Sequence, residues 1–154
     1  MTISIAAENP LGADLALLMT RHTEAMHADT PPESIHMMDA GALAKAGTYF
    51  VVMREAGHPI GMGALKPIGP DHAEIKSMHI LAEARGRGLA RQMLHYLMAA
   101  ADAADYTRLS LETGSQPGFA AARGLYLRAG FVECPPFEGY GPDPNSIFMT
   151  RALA

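Results

Sequence analysis

The sequence of 154 residues has one cysteine, no tryptophan and no apolar run as long as a membrane span. Cys134 has no second cysteine to pair with, which is typical of proteins from a reducing compartment. A spanning helix needs about 18 consecutive apolar residues. The first twenty residues lack a basic segment, and Asp14 interrupts their apolar residues, so they do not form a signal peptide. We therefore expect a cytoplasmic protein with no membrane segment.

An excess of basic residues is also missing. The chain has 12 Lys and Arg against 16 Asp and Glu, a net charge of −4 with histidine neutral. This balance argues against a nucleic-acid partner, because phosphate backbones select basic surfaces. The seven histidines form no H-x-x-x-H or H-E-x-x-H pair, so we expect no metal site. With 49% apolar and 18% charged residues, the composition indicates one globular domain over residues 1–154.

Hydrophobic periodicity predicts a mixed order of elements. Helical spacing is found in Leu11 to His27, Ile35 to Ala44, Leu89 to Ala104 and Gly118 to Gly130, and strand patterns in Thr48 to Met53, Ile60 to Ile68, Ala73 to Ile80, Thr107 to Thr113, Phe131 to Cys134 and Ser146 to Leu153. Short turns between the first three strands make them antiparallel neighbours. The predicted fold class is α/β (α+β), a mixed, mostly antiparallel sheet of about six to seven strands with helices on both faces.

The stretch ARGRGLARQM, Ala84 to Met93, joins a predicted strand to a predicted helix. The first amides of a helix have no partner within the helix, and the helix dipole adds positive charge there, so this junction is a candidate anion site. Gly86 and Gly88 would let a phosphate approach the backbone, and flanking arginines could pair with its oxygens. A tight turn that needs flexible residues would explain the two glycines equally well.

Two nucleotide-binding templates fit this loop poorly. A P-loop needs GK(S/T) after the glycines, which is absent. The dinucleotide pattern G-x-G-x-x-G meets Arg91 at its third glycine, although Glu112, at the end of the next strand, lies near the position of a ribose-binding acid. The strand before the loop carries Glu74 and Lys76, whereas a central parallel strand should be almost continuously apolar.

A third template matches. Arg85-x-x-Gly88-x-Ala90 fits the (Q/R)-x-x-G-x-(G/A) loop that binds the acyl-CoA pyrophosphate in GNAT acetyltransferases. Forty residues on, ARGLYLRAGF resembles the A-x-x-L-Y-x-x-x-G-F segment of that family at Ala122, Leu125, Tyr126, Gly130 and Phe131. The chain thus resembles a GNAT N-acetyltransferase over roughly Tyr49 to Leu153, and its first 45 residues match only in being helical. The resemblance implies the GNAT fold and transfer of an acetyl group from acetyl-CoA to an amine.

The resemblance also implies a donor site. In the family, the strand before the loop separates from the next strand, and its free backbone groups, here those of Met78, His79 and Ile80, bind the pantetheine arm and polarise the acetyl carbonyl. Tyr126 matches the tyrosine beside the CoA sulfur, which can protonate the leaving thiolate or orient the thioester. The alternative for Tyr126 is an aromatic core residue at helical spacing. Phe119 stands where members often carry asparagine, so an apolar contact would replace a polar one. The pyrophosphate would lie on the amides of Arg85, Gly86, Arg87, Gly88, Leu89 and Ala90.

A base must remove a proton from the acceptor amine. Glu74 lies fourteen residues before Gly88, the offset of the catalytic glutamate in histone-type members, and burial could raise its pKa toward neutrality. The alternative for Glu74 is an exposed carboxylate paired with Lys76. Glu112 is the second candidate base and His79 the third.

The acceptor side is indicated only by charge type and position. Glu33, Ser34 and His36 lie in the PPESIH segment and His27 lies just before it, while Tyr140 and Asp143 lie in the loop before the last strand. These residues would suit a small-molecule or peptide amine, and a homodimer through a sheet edge is compatible with the resemblance. Two alternatives stay open at this point: a non-catalytic acyl-CoA-binding or sensing domain, and a small dinucleotide-binding domain.

Overall fold

The computed structural model describes residues 2–31, 33, 38–45, 47–137 and 140–153. Its strands are β1 (Ile3–Ala7), β2 (Tyr49–Glu55), β3 (His58–Pro67), β4 (His72–Ile80), β5 (Arg108–Gly114), β6 (Val132–Cys134) and β7 (Ser146–Ala152). Its helices are α1 (Ala16–Asp29), α2 (Ala40–Leu43), α3 (Leu89–Ala103) and α4 (Ala120–Arg128). The strands form one sheet in the order β1-β2-β3-β4-β5-β7-β6, in which only the β4–β5 pair among the described strands is parallel. The predicted fold class is confirmed.

Three sequence predictions need correction at the N-terminal end. The strand β1 was missed because it is a five-residue edge strand, paired only with β2 from Ile3↔Glu55 to Ala7↔Val51. The first helix begins at Ala16, after a 3-10 turn over Ala13–Leu15. Of the predicted Ile35–Ala44 helix, the described part is α2, which starts where Asp39 accepts a hydrogen bond from the Ala42 amide at 2.8 Å, while residues 34–37 lie outside the described residues.

The two faces of the sheet bury separate apolar clusters, because successive side chains of a strand point to opposite faces. One face packs Val51, Met53, Ile75, Leu109 and Leu111 against α3 and α4. The other face packs Phe50, Val52, Met62 and Ala64 against residues from the α1 and α2 region, Leu15, Leu18 and Leu43. The side chains of Glu74 and Lys76 have the same strand parity and register as the second set, so they face α1.

Strands β4 and β5 separate partway along their length. Their parallel ladder runs from His72↔Arg108 to Ile75↔Leu111 and ends there. Strand β5 continues along β7 to Gly114↔Ser146, and β4 continues along β3 to Gly61↔Ile80. A bulge lies between these two stretches of β4, where Ser77 has a left-handed φ of 56° and the β3–β4 register shifts. The bulge bends β4 away from β5 and opens the sheet.

Candidate active site

A cavity of about 970 Å³ occupies the opening between β4 and β5. Its walls come from the second half of β4, the end of β5, the start of α3, one side of α4 and the C-terminal half of α1. All three predicted catalytic residues line it: Glu74, Glu112 and Tyr126. So do most predicted cofactor-binding residues, namely Met78, His79, Ile80, Arg85, Gly86, Gly88, Leu89, Ala90 and Phe119.

The glycine loop ends at the N-terminus of α3. Gly88 is the N-cap of that helix with φ 73°, and Gly86 has φ 79°, a conformation that side chains rarely adopt. A Cβ atom added to either glycine would meet nothing within 4 Å, so open space lies in front of the loop. The Arg85 Nε donates to the Ile80 carbonyl at 3.1 Å and fixes the loop to the end of β4. The unpaired helical amides, the dipole and the open space together fit an acyl-CoA pyrophosphate.

The Arg87 side chain does not line this cavity. Its guanidinium forms two hydrogen bonds with the Glu55 carboxylate, one of them at 3.0 Å, and so ties the loop to the end of β2. The hydrogen bonds to Glu55, and then its charge, raise the pKa of Arg87, and the hydrogen bonds from Arg87 lower the pKa of Glu55. Arg87 can therefore contribute to the predicted donor site only through its backbone amide.

Tyr126 lies on α4, across the cavity from the end of β4. It is 8% exposed, and its ring packs edge-on against Phe131 with a centroid distance of 6.1 Å. Burial raises the pKa of Tyr126 to about 12, with a smaller contribution from the negative charge of Glu112. The phenol is therefore protonated at neutral pH. Phe119, in the 3-10 turn that precedes α4, adds an apolar surface to the same wall.

Glu74 is buried, 2% exposed, and engaged by two neighbours. The Tyr140 hydroxyl donates to Glu74 Oε2 at 2.5 Å, and the Lys76 Nζ lies 3.5 Å from the same oxygen. Lys76 Nζ also donates to the Tyr140 hydroxyl at 2.8 Å. Burial and the Glu74 charge raise the pKa of Tyr140. The expected pairing with Lys76 is present, but it is buried inside the site rather than exposed.

Sequence reasoning missed His22, which comes from α1. Its ring lies 5.2 Å from that of His79, measured between centroids, and both rings line the cavity. Burial lowers the pKa of each imidazole to about 4. The signal was present in the sequence: His22 continues the helical spacing of Leu15 and Leu18, which are buried on the same side of the helix.

The predicted acceptor residues are not all assembled. His27 lines a second groove of about 650 Å³, which shares Thr30 and Gly118 with the main cavity. Glu33 is exposed, and Ser34 and His36 lie outside the described residues. Asp143 accepts a hydrogen bond from the Asn145 amide at 2.8 Å, within its own loop.

In the part of the chain that the structure describes, no three or more His, Cys, Asp or Glu side chains are arranged to hold a metal ion. No helix in the same ranges is long and apolar enough to cross a membrane.

Comparisons with known proteins agree with this geometry. The model of the acetyltransferase (GNAT) family matches residues 15–131. The chain is 40% identical to the uncharacterized N-acetyltransferase YsnE of Bacillus subtilis, over 97% of this chain and 99% of that protein. It is 35% identical to the IAA acetyltransferase of Azospirillum brasilense, with 98% of each chain covered. Its fold is similar to the crystal structure of a candidate acyl-CoA N-acyltransferase from Klebsiella pneumoniae, with a TM-score of 0.81, 26% identity and 99% of each chain covered.

Proposed function

The chain belongs to the GNAT acetyltransferase family, and we propose that it is an N-acetyltransferase that transfers the acetyl group of acetyl-CoA directly to an amine. The observation that carries the proposal is the opening between β4 and β5, with the glycine loop at its end. One cavity thus combines an open strand edge, an anion site and titratable side chains. The alternative of a dinucleotide-binding domain loses its support, because the chain belongs to the GNAT family and its sheet is mostly antiparallel.

The donor is held by backbone groups in this proposal. The loop amides from Arg85 to Ala90 bind the pyrophosphate, and the edge of β4 at Met78, His79 and Ile80 binds the pantetheine arm. An amide on this edge would also donate to the acetyl oxygen as negative charge develops there. Bound acetyl-CoA supplies a thioester whose carbonyl carbon is attacked by the acceptor nitrogen, with CoA thiolate as the leaving group. The protein groups then have to move two protons.

We assign the base to Glu112 in preference to Glu74. Glu74 already accepts a hydrogen bond from the Tyr140 hydroxyl and lies beside Lys76, so a proton from the acceptor would have to displace these contacts. Glu112 is half-buried on the β5 wall of the opening, and its charge reaches Tyr126. Glu74 remains the second candidate, acting through its contact with Tyr140. The reacting amine would lose its proton to the carboxylate, directly or through one water molecule.

Tyr126 supplies the acid. Its raised pKa keeps the phenol protonated at neutral pH, so it can donate a proton to the CoA thiolate as the carbon–sulfur bond breaks. No covalent acyl-enzyme is part of the proposal. Cys134 lies on β6 outside the cavity lining, and burial raises the pKa of its thiol, which disfavours the nucleophilic thiolate.

The acceptor in this proposal is an amine of a small molecule or a peptide. A relative with 35% identity is named for IAA, which makes a small acceptor the first class to examine. The groove beside His27 continues the main cavity and would accept the part of a longer acceptor that extends beyond the reacting amine. The cytoplasmic location expected from the single cysteine stays a prediction.

Two measurements test the proposal. Thermal unfolding with acetyl-CoA, CoA, NAD and ATP should show stabilisation by the first two, and a ligand at about 100 times its Kd adds roughly 2.7 kcal/mol. Release of the CoA thiol should then be followed with a panel of amines. Stabilisation by NAD but not CoA would overturn the proposal. Binding of acetyl-CoA without thiol release from any amine would instead indicate an acyl-CoA-binding domain.

A further inference from the structure

The imidazoles of His22 and His79 form a pair on the α1 side of the cavity. Their exposed fractions are 8% and 9%, and their ring planes are inclined by 53°. The buried Nε2 atom of His79 makes no hydrogen bond within the described part of the chain. Such an atom is rare, because leaving a buried polar group without a hydrogen bond is costly in free energy. Because His79 also lines the cavity, a polar group of a ligand is a candidate partner for this atom.

The charged groups around this pair are mainly cationic. Arg21 is on α1, Lys76 is on β4, and Arg85 is at the start of the glycine loop. After burial, the charge of Lys76 is the cause that lowers the pKa of His22. For His79, the further causes after burial are His22, Arg85 and Arg21. Both imidazoles therefore lie in a positive field and are uncharged at neutral pH.

Two carboxylates complete the surroundings, and each is engaged with a group other than the imidazoles. Glu83 pairs with Arg21 at 2.7 Å, and its side chain is 61% exposed. Glu74 accepts a hydrogen bond from the Tyr140 hydroxyl and lies 3.5 Å from Lys76 Nζ. The other carboxylate that lines the cavity, Glu112, is on β5, across the opening from the end of β4 that carries His79.

We propose that His22, His79 and Lys76 form a carboxylate-binding subsite, so that the acceptor carries a carboxylate as well as the reacting amine, as amino acids do. This inference rests on the proposed acetyl transfer. Lys76 supplies positive charge, and the Nε2–H of neutral His79 donates a hydrogen bond. Glu112, on the β5 wall, attracts the amine end. The acceptor is thereby oriented with its carboxylate toward α1 and its nitrogen toward the opening in the sheet.

The substrate test uses the amino acids and their carboxamides as matched pairs, with acetyl-CoA as donor and CoA-thiol release as the readout. Loss of a charge-assisted hydrogen bond changes kcat/KM by about 10- to 100-fold. We therefore expect kcat/KM for the preferred amino acid to exceed that for its amide by at least about 10-fold. Equal use of the two, or preference for the amide, would overturn the carboxylate subsite and leave acetyl transfer intact.

Two variants of one position sharpen this test. The His79→Gln side chain keeps an N–H donor near the place of Nε2, whereas His79→Leu has none. The acid-to-amide ratio of kcat/KM should be retained in His79→Gln and fall toward 1 in His79→Leu. His58→Gln is the matched control, because His58 is exposed on β3 and outside the cavity. The same ratio in all three variants would contradict the role given to His79.

A binding measurement decides the inference without turnover. A bound carboxylate favours the charged form of a neighbouring imidazole, so it should raise the pKa of His22 and His79. In CoA-loaded protein, NMR titration of the imidazole protons should show this rise with the preferred amino acid and no rise with its amide. The resonances of the exposed His58 give an internal reference. If no amine of the wider panel is acetylated, the proposed function fails, whereas acetylation confined to amines without a carboxylate, or absence of a rise with every amino acid, overturns the subsite alone.

Discussion

The hydroxyl of Tyr140 donates a hydrogen bond of 2.5 Å to a carboxylate oxygen of Glu74, although the two residues are 66 positions apart. Tyr140 belongs to the loop before β7, and Glu74 lies in the middle of β4. The contact fixes this loop to the strand that forms one wall of the cavity. It also occupies the carboxylate that the sequence favoured as the base.

Replacing Tyr140 by Phe should destabilise the fold. The substitution removes the donor to a buried carboxylate, and hydrogen bonds to charged groups contribute about 1.5–3 kcal/mol. We expect a loss of about 2 kcal/mol in the free energy of unfolding, measured by urea titration. Tyr49→Phe is the matched control, because its hydroxyl contact with Tyr96 is exposed. A loss in the control as large as in Tyr140→Phe would show that the buried carboxylate is not the cause.

The base assignment predicts different outcomes for two carboxylates. Glu112→Gln should lower kcat by about 10²-fold or more near neutral pH, because general base catalysis contributes about 10²–10⁴-fold. The defect should shrink as pH rises, since the free amine then loses its proton to solvent. Glu74→Gln should lower kcat less and stability more, by about 3 kcal/mol, because Lys76 loses its buried partner. Unchanged transfer in both variants would show that neither carboxylate is the base.

The acid role of Tyr126 predicts a defect in kcat rather than in donor binding. Tyr126→Phe keeps the buried ring and its contact with Phe131 but removes the proton donor. We expect kcat to fall by about 100-fold, with the Kd of CoA changed less than about threefold, since the ring surface is retained. Steady-state kinetics and calorimetric titration with CoA separate the two effects. A change in Kd alone would assign Tyr126 to donor binding.

The buried imidazoles predict a loss of stability in acid. The pKa of His22 is about 4 in the folded protein, against an ordinary value of 6.5. Between these values the unfolded chain binds the proton and the folded chain does not, so stability falls as pH falls from about 6.5 to about 4. Below pH 4 the protonation of His22 lowers the free energy of unfolding by about 3 kcal/mol. His79 lowers it in the same pH range. Urea unfolding across this range should show a shallower decline in His22→Leu, whereas the His58→Gln control should keep the parent slope.

The glycine loop before α3 predicts that one added methyl group, in Gly88→Ala, weakens donor binding. Gly88→Ala forces a side chain into a left-handed conformation at φ 73°, and such strain costs roughly 1–2 kcal/mol per residue. Gly57→Ala imposes a similar strain at φ 83°, in the β2–β3 hairpin away from the cavity. Both should lose similar stability, but only Gly88→Ala should weaken CoA binding, by about tenfold because the loop amides shift. Equal CoA affinity in the two variants would place the pyrophosphate elsewhere.

The sequence determined the donor side because that side depends on local backbone features. Gly86, Gly88 and the start of α3 are neighbours in the chain, so their spacing predicts a loop and helix N-terminus without knowledge of distant contacts. The alternating and helical patterns likewise predicted six of the seven strands and the two long helices. Strand β1 was missed because it is short and pairs with only one neighbour.

The acceptor side was decided only by tertiary structure. The pairs Tyr140–Glu74 and His22–His79 join segments that are far apart in the sequence, and the bulge at Ser77 determines which β4 groups face the opening. Nothing local shows that Glu74 is buried beside Lys76, or that His22 lies in a positive field. Burial and charge at these positions depend on the packing of α1 and the loop before β7 against the sheet. A local pattern can therefore predict a loop suited to the CoA phosphates, but the side chains that we propose to select the acceptor are brought together only by the fold.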